Sequence, residues 1–243
     1  MMTRTPHPPQ AASQPDLCGV QLEHVFVAGI RFDTEVEYLS RSASGARYER
    51  LPLRRSKSPR SCALDSVVQC AMVLAQLPRA PWLVRVRRAA RLAMGKRDSI
   101  DDEAMLRCIA AINQDIAQVT AIGTEALASG DVSCRADQIA SVGLEALQSG
   151  DLCLLHYESC RSSHWCVVIG VEFERGSNRA RALLLLDAGA SEPWACAHNV
   201  RIELEGTAGR AIHARPGFGL SCRHLTGEAC AVRPLQLIVL KRV

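Results

Sequence analysis

Aromatic side chains are scarce in this sequence: 3 Trp, 3 Tyr and 4 Phe make up 4% of it. A core built on rings is therefore not expected, and an aliphatic one is. No run approaches 18 apolar residues, so no membrane span is expected either. The opening stretch MMTRTPHPPQAASQPD has no apolar h-region. It reads as a disordered tail over residues 1–16, followed by one domain over 17–243, and not as a secretory signal. The 11 cysteines are odd in number and include no C-x-x-C pair. Without a secretion signal they point to reduced thiols, in the cytoplasm or in a protein exported without a cleavable signal peptide. A net charge of +4 is too mild to imply nucleic acid. Arg54, Arg55, Lys57 and Arg60, and again Arg85, Arg87, Arg88 and Arg91, lack interleaved aromatics, so no nucleic-acid partner is expected.

What is present is a chain of 243 residues, 48% hydrophobic and 22% charged, long enough to bury one sizeable core. Its two halves differ in period. Residues 20–32 and 35–39 read as short strands of an N-terminal hairpin, and residues 40–61 as a loop. Leu64, Val67, Val68, Ala71, Met72 and Ala75 then recur at helical spacing after Pro59 and a Ser61 N-cap. Further helices are predicted over about 82–94 and about 101–119, the latter burying Met105, Cys108, Ile109, Ile112, Ile116 and Val119. EALASGD (125–131) and EALQSGD (145–151) read as helix ends closed by Gly130 and Gly150.

From residue 152 the pattern becomes strand-like: LCLLHYE, then HWCVVIGVEFE and ARALLLLD joined by the turn RGSNR. WACAHNVRIELE (194–205) and LQLIVLKRV (235–243) add further strands. Helices first and an antiparallel sheet after define an α+β class.

Three residues in this order carry chemistry. Cys62 falls on the first turn of its helix, where free N–H groups and the dipole favour a thiolate. It is therefore expected to be the most reactive of the cysteines. His164 opens one strand of the predicted hairpin and Asp187 closes the other, which lays the two side by side. A carboxylate there fixes one imidazole tautomer and leaves the second nitrogen free to take a thiol proton.

Cys62 in CALDSVVQCAMVL, HWCVVIGV at 164–171 and LLLLD at 183–187 resemble the papain-like cysteine peptidases. Among these, the bacteriocin-leader (double-glycine) peptidases and their stand-alone bacterial relatives are the nearest branch. The resemblance spans about residues 55–190. It implies a papain-like fold whose helical N-terminal half packs on an antiparallel sheet. It also implies Cys62 as nucleophile, His164 as general base and Asp187 as orienting acid. The implied activity is cleavage of a peptide or amide bond through a thioester, with a peptide or protein as substrate. A peptidoglycan amidase or an effector-type acyltransferase on the same fold, and a catalytically degenerate binding domain, are the alternatives. The chain has Ala63 where that family has Gly, and LPLRRSKSPRS lacks the family's upstream Gln. The Cys62 N–H is one oxyanion donor; Ser56, Lys57, Ser61 or a residue from the N-terminal hairpin are candidates for the second. Cys222, His224 and Cys230, and Cys196 with His198, lack a paired-ligand spacing, so neither metal nor cofactor is expected.

Overall fold

A computed structural model of the chain describes residues 22–26, 30–31, 40–41, 47–50, 59–75, 79–95, 100–116, 122–126, 132–160, 162–177, 179–190, 198–204 and 219–242. The expected 1–16 tail and the 35–39 strand lie outside them. Short strands come first: β1 (Leu22–Phe26), β2 (Ile30–Arg31), β3 (Ser40–Arg41) and β4 (Arg47–Arg50). Helices α1 (Pro59–Leu74), α2 (Arg79–Met94) and α3 (Asp102–Ile116) follow, then β5 (Ile122–Ala126) and α4 (Val132–Gln148). The second half is β6 (Leu152–Ser159), β7 (Ser163–Glu174), β8 (Ala180–Leu186), β9 (Val200–Glu203), β10 (Leu220–His224) and β11 (Ala229–Arg242). The protein is thus mixed helix and antiparallel sheet, with helices dominating the first half.

The apolar runs of the second half make the main sheet. β7 pairs antiparallel with β6 through residues 163–168 and with β8 through residues 167–173. Pairings β8–β9, β9–β10, β10–β11 and β11–β6 complete a ring, so β6 to β11 form a closed six-stranded barrel. The β7–β8 turn is the RGSNR hairpin that the sequence predicts, with Gly176 at φ +76°. β1 continues past the end of β6, pairing with β7 residues 170–174. Gly170 sits at that handover, where an added Cβ would meet the Phe26 ring at 2.8 Å.

α1 is central where the sequence predicts a one-sided stripe. Every residue from Cys62 to Ala75 is buried except the half-buried Met72, one of the six stripe members. The helix packs on β7, β6 and β11 on one side and against α2 and α3 on the other. Asp65 can be buried there because Arg87 of α2 reaches its carboxylate at 2.7 Å. Pro59 is the first helical residue, a position where its missing N–H costs nothing, so Ser61 lies inside the helix and is not its cap. In α3 the expected stripe is buried up to Ile116, and Asp101 caps the helix by accepting the Ala104 N–H at 2.7 Å.

The two EALxSGD copies part ways. The second ends α4 as expected, with Gly150 at φ +81° and the Asp151 N–H reaching the Ala146 carbonyl at 2.9 Å. The first begins inside β5, which pairs with β11 from Ile122 to Ala126. Two short strands, β3 and β4, likewise fall in the region read as a loop and form a small sheet with β2.

A charged network crosses the outer strands. Glu172 on β7 is 4% exposed and is held by Arg201, and by His24 at 3.2 Å. Burial alone would push its carboxyl up, but Arg201 and His24 together hold it below the usual range of 4.5. Because the folded pKa is depressed, this contribution to stability is present above the unfolded value and lost as pH falls through the folded one. The expected result is a Tm that drops steeply below about pH 4.5 in circular-dichroism melts. Glu172→Gln should have a lower neutral-pH Tm and a smaller drop.

Candidate active site

The β7–β8 hairpin does what its sequence pattern predicts for His164 and Asp187. Val167 faces Leu186 in the register, so continuing it sets Asp187 across from Cys166 and diagonal to His164. His164 Nδ1 lies 3.1 Å from Asp187 Oδ2. That is an ion-pair distance, with the ring N–H turned off the line of the contact.

Asp187 is fully buried, and its surroundings are built for a carboxylate. Tyr157 donates its hydroxyl to Oδ2 at 3.0 Å, and the Gly189 N–H donates to Oδ1 at 2.7 Å. Burial would push the carboxyl up, but His164, Gly189 and Tyr157 hold it below the ordinary 3.8. Asn199 fixes the main chain at this point. Its Oδ1 accepts the Asp187 N–H and its Nδ2 donates to the Asp187 carbonyl, both at 2.8 Å. The Tyr157 ring also stacks on the His164 imidazole, centroids 5.1 Å apart and planes within 9°. One tyrosine therefore sets both members of the pair.

Cys62 approaches from α1. Ser66, one turn along, donates its hydroxyl to the Trp165 carbonyl at 3.1 Å and so ties the helix start to β7. The thiol is 2% exposed, beside the Trp165 main chain and within the field of Asp187. Burial pushes its pKa up to about 11, the main chain at Trp165 and Ala63 offsets part of that, and Asp187 and Asp65 add to it. The helix-start argument for a lowered thiol is therefore outweighed by desolvation. At rest the group is a thiol.

The other imidazole nitrogen is engaged as well. His164 Nε2 lies 2.6 Å from Ser162 Oγ, in the turn that links β6 to β7. That turn is tight: the Ser159 N–H donates to the Ser162 carbonyl at 2.8 Å, and the Ser162 N–H to Ser159 Oγ at 3.1 Å.

On the opposite face of the same strands lies a second relay. His156 of β6 holds Asp102 Oδ1 with Nδ1 and Ser163 Oγ with Nε2, each at 2.6 Å, and stacks on Trp165. Gln236, with its amide oriented to donate, reaches both Asp102 oxygens at 2.8 and 2.6 Å. Ser162 and Ser163 are neighbours in sequence, and each meets a different histidine.

Of the residues singled out in the sequence, His164 and Asp187 touch, and Cys62 is brought against the strand that carries His164. Cys166 is fully buried, a core thiol, and Trp165 stacks on His156 and not on His164. Ser56, Lys57, Arg54, Arg55 and Trp194 lie outside the described residues, as do the side chains of Arg60 and Ser61. Tyr157, Ser162, Gly189 and the role of Asn199 are found only in the structure. No protein-family model matches the chain, and no curated protein matches it in sequence.

Proposed function

We propose that the protein is a papain-like thiol hydrolase that cleaves a peptide or amide bond. The observation that carries this reading is the pairing of half-buried His164 with buried Asp187, with the Cys62 end of α1 tied to the adjoining residue of β7. His164 takes the Cys62 proton, and the thiolate attacks the substrate carbonyl. Main-chain N–H groups at the start of α1, which the first helical turn leaves without partners, stabilise the oxyanion. His164 returns the proton to the leaving amine, and water hydrolyses the thioester. Because burial holds the thiol near 11, the proton moves as substrate arrives, and no ion pair waits beforehand. Asp187 offsets the positive charge that this step creates on the ring. Peptidoglycan amidase and acyltransferase readings share these steps and differ in the carbonyl attacked and in what accepts the acyl group.

Ser162 favours a second reading. Its hydroxyl already sits 2.6 Å from Nε2, the relation of a serine nucleophile to its base. In the thiol reading this hydroxyl has to give way before Cys62 can use the nitrogen. The two readings separate on Ser162→Ala and Cys62→Ala, assayed on a peptide library and on peptidoglycan fragments. A thiol hydrolase loses turnover in Cys62→Ala, whereas Ser162→Ala keeps it or raises it several-fold. The reverse pattern assigns Ser162 as the nucleophile. Turnover that survives in both variants rejects both readings.

A further inference from the structure

We infer that Cys222, His224 and Cys230 form a binding site for one zinc-class divalent cation at the β10–β11 hairpin. Their sequence pattern, C-x-H-x5-C, has no paired spacing, which is why the sequence alone argues against it. The hairpin supplies what the spacing lacks. Cys222 and Cys230 are direct cross-strand partners, and His224, two residues along β10, lies on the same face. The turn between the strands is closed by the His224 N–H on the Glu228 carbonyl at 2.8 Å and the Gly227 N–H on the His224 carbonyl at 2.9 Å. Gly227 has φ +88°, the left-handed conformation this tight turn requires.

The three donor atoms lie within 4.8 Å of one another. Zinc–sulfur and zinc–nitrogen bonds of about 2.3 and 2.0 Å need donors roughly 3.5 Å apart, so small side-chain rotations close the site. The donor set is two sulfurs and an imidazole with no carboxylate, which selects zinc or cobalt over magnesium or calcium. Three protein donors leave a fourth position for water or a bound group. Cys222 is buried while His224 and Cys230 are half-buried, which gives the ion a way in. The site adjoins the His164–Asp187 pair: Asp187 acts electrostatically on Cys222 and His224, and His164 on Cys230. An ion held here would fix the hairpin beside Tyr157 and Asp187. The inference does not depend on the assignment of Cys62.

The test uses the full chain, reduced, treated with chelator and kept under a non-thiol reductant. Titration with Co2+ should give a thiolate-to-cobalt absorption band that saturates at one equivalent and is bleached by Zn2+. Zn2+ should also raise Tm. His224→Ala and Cys230→Ser, chosen because both positions are half-buried, should each weaken binding by more than the roughly 10–100-fold that loss of an outer-shell partner costs. Cys160→Ser, at an exposed cysteine, should bind as wild type. Two results would overturn the inference: no band in folded protein, or a band that persists unchanged in His224→Ala and Cys230→Ser.

Discussion

His164→Ala is expected to lower kcat/KM by about 10⁴-fold on any amide the wild type cleaves, and Cys62→Ala to do the same. The reason lies in the resting state. A thiol held near 11 by burial supplies almost no thiolate at pH 7, so the proton must be taken in the same step that forms the new bond. Among the described residues, His164 is the imidazole paired with Asp187 and so placed to receive it. The later protonation of the leaving amine needs the same ring. Because both residues serve one step, the double variant should be no worse than either single one. Steady-state kinetics on the three variants, with Tm measured alongside to confirm folding, checks this. A loss under 10-fold in His164→Ala would remove the ring from the mechanism.

Asp187→Ala is expected to cost both chemistry and stability. The carboxylate offsets the imidazolium that forms during proton transfer, and its loss should lower kcat by about 10²–10⁴-fold with little change in KM. Had a thiolate–imidazolium pair stood ready at rest, the cost would be smaller. The same substitution leaves the Tyr157 hydroxyl without its acceptor in a buried site, whereas Gly189 is exposed and its N–H can turn to water. A buried orphan costs about 1–3 kcal/mol, so unfolding free energy should fall by about 1–3 kcal/mol. Asp187→Asn separates the two effects, since it removes the charge and keeps one oxygen for the Gly189 N–H, while the Tyr157 hydroxyl can turn to accept from the new amide. It should recover much of the stability and little of the kcat. Denaturant melts and kinetics on both variants decide it. Equal recovery of both would make Asp187 a structural residue.

The His164–Asp187 geometry was legible because a β-hairpin is local. An alternating apolar pattern, a Gly-containing turn and two strand ends suffice to place the pair. The second relay was not, because His156 finds Asp102 on a helix 54 positions away and sequence pattern does not record that contact. β10 carries no strand signal in the sequence, since LSCRH buries only Leu220 and Cys222 and has no apolar run. Without β10 the sheet cannot be seen to close. β5 was disguised by the helix-favouring EAL, which pairing with β11 overrides. For Cys62 the helix turn was readable and its depth was not. Burial reversed the sign expected of the thiol.

The measurement that bears most directly on the account is labelling of Cys62 by a peptide-derived electrophile at pH 7, followed by mass spectrometry. Exposed Cys160 should react faster with free iodoacetamide, because the Cys62 thiol is buried and neutral. With a peptidyl electrophile that mimics substrate, Cys62 should be modified first in the wild type, and at least about 100-fold more slowly in His164→Ala. Modification of Ser162 in place of Cys62, or a Cys62 rate indifferent to His164, would contradict the account.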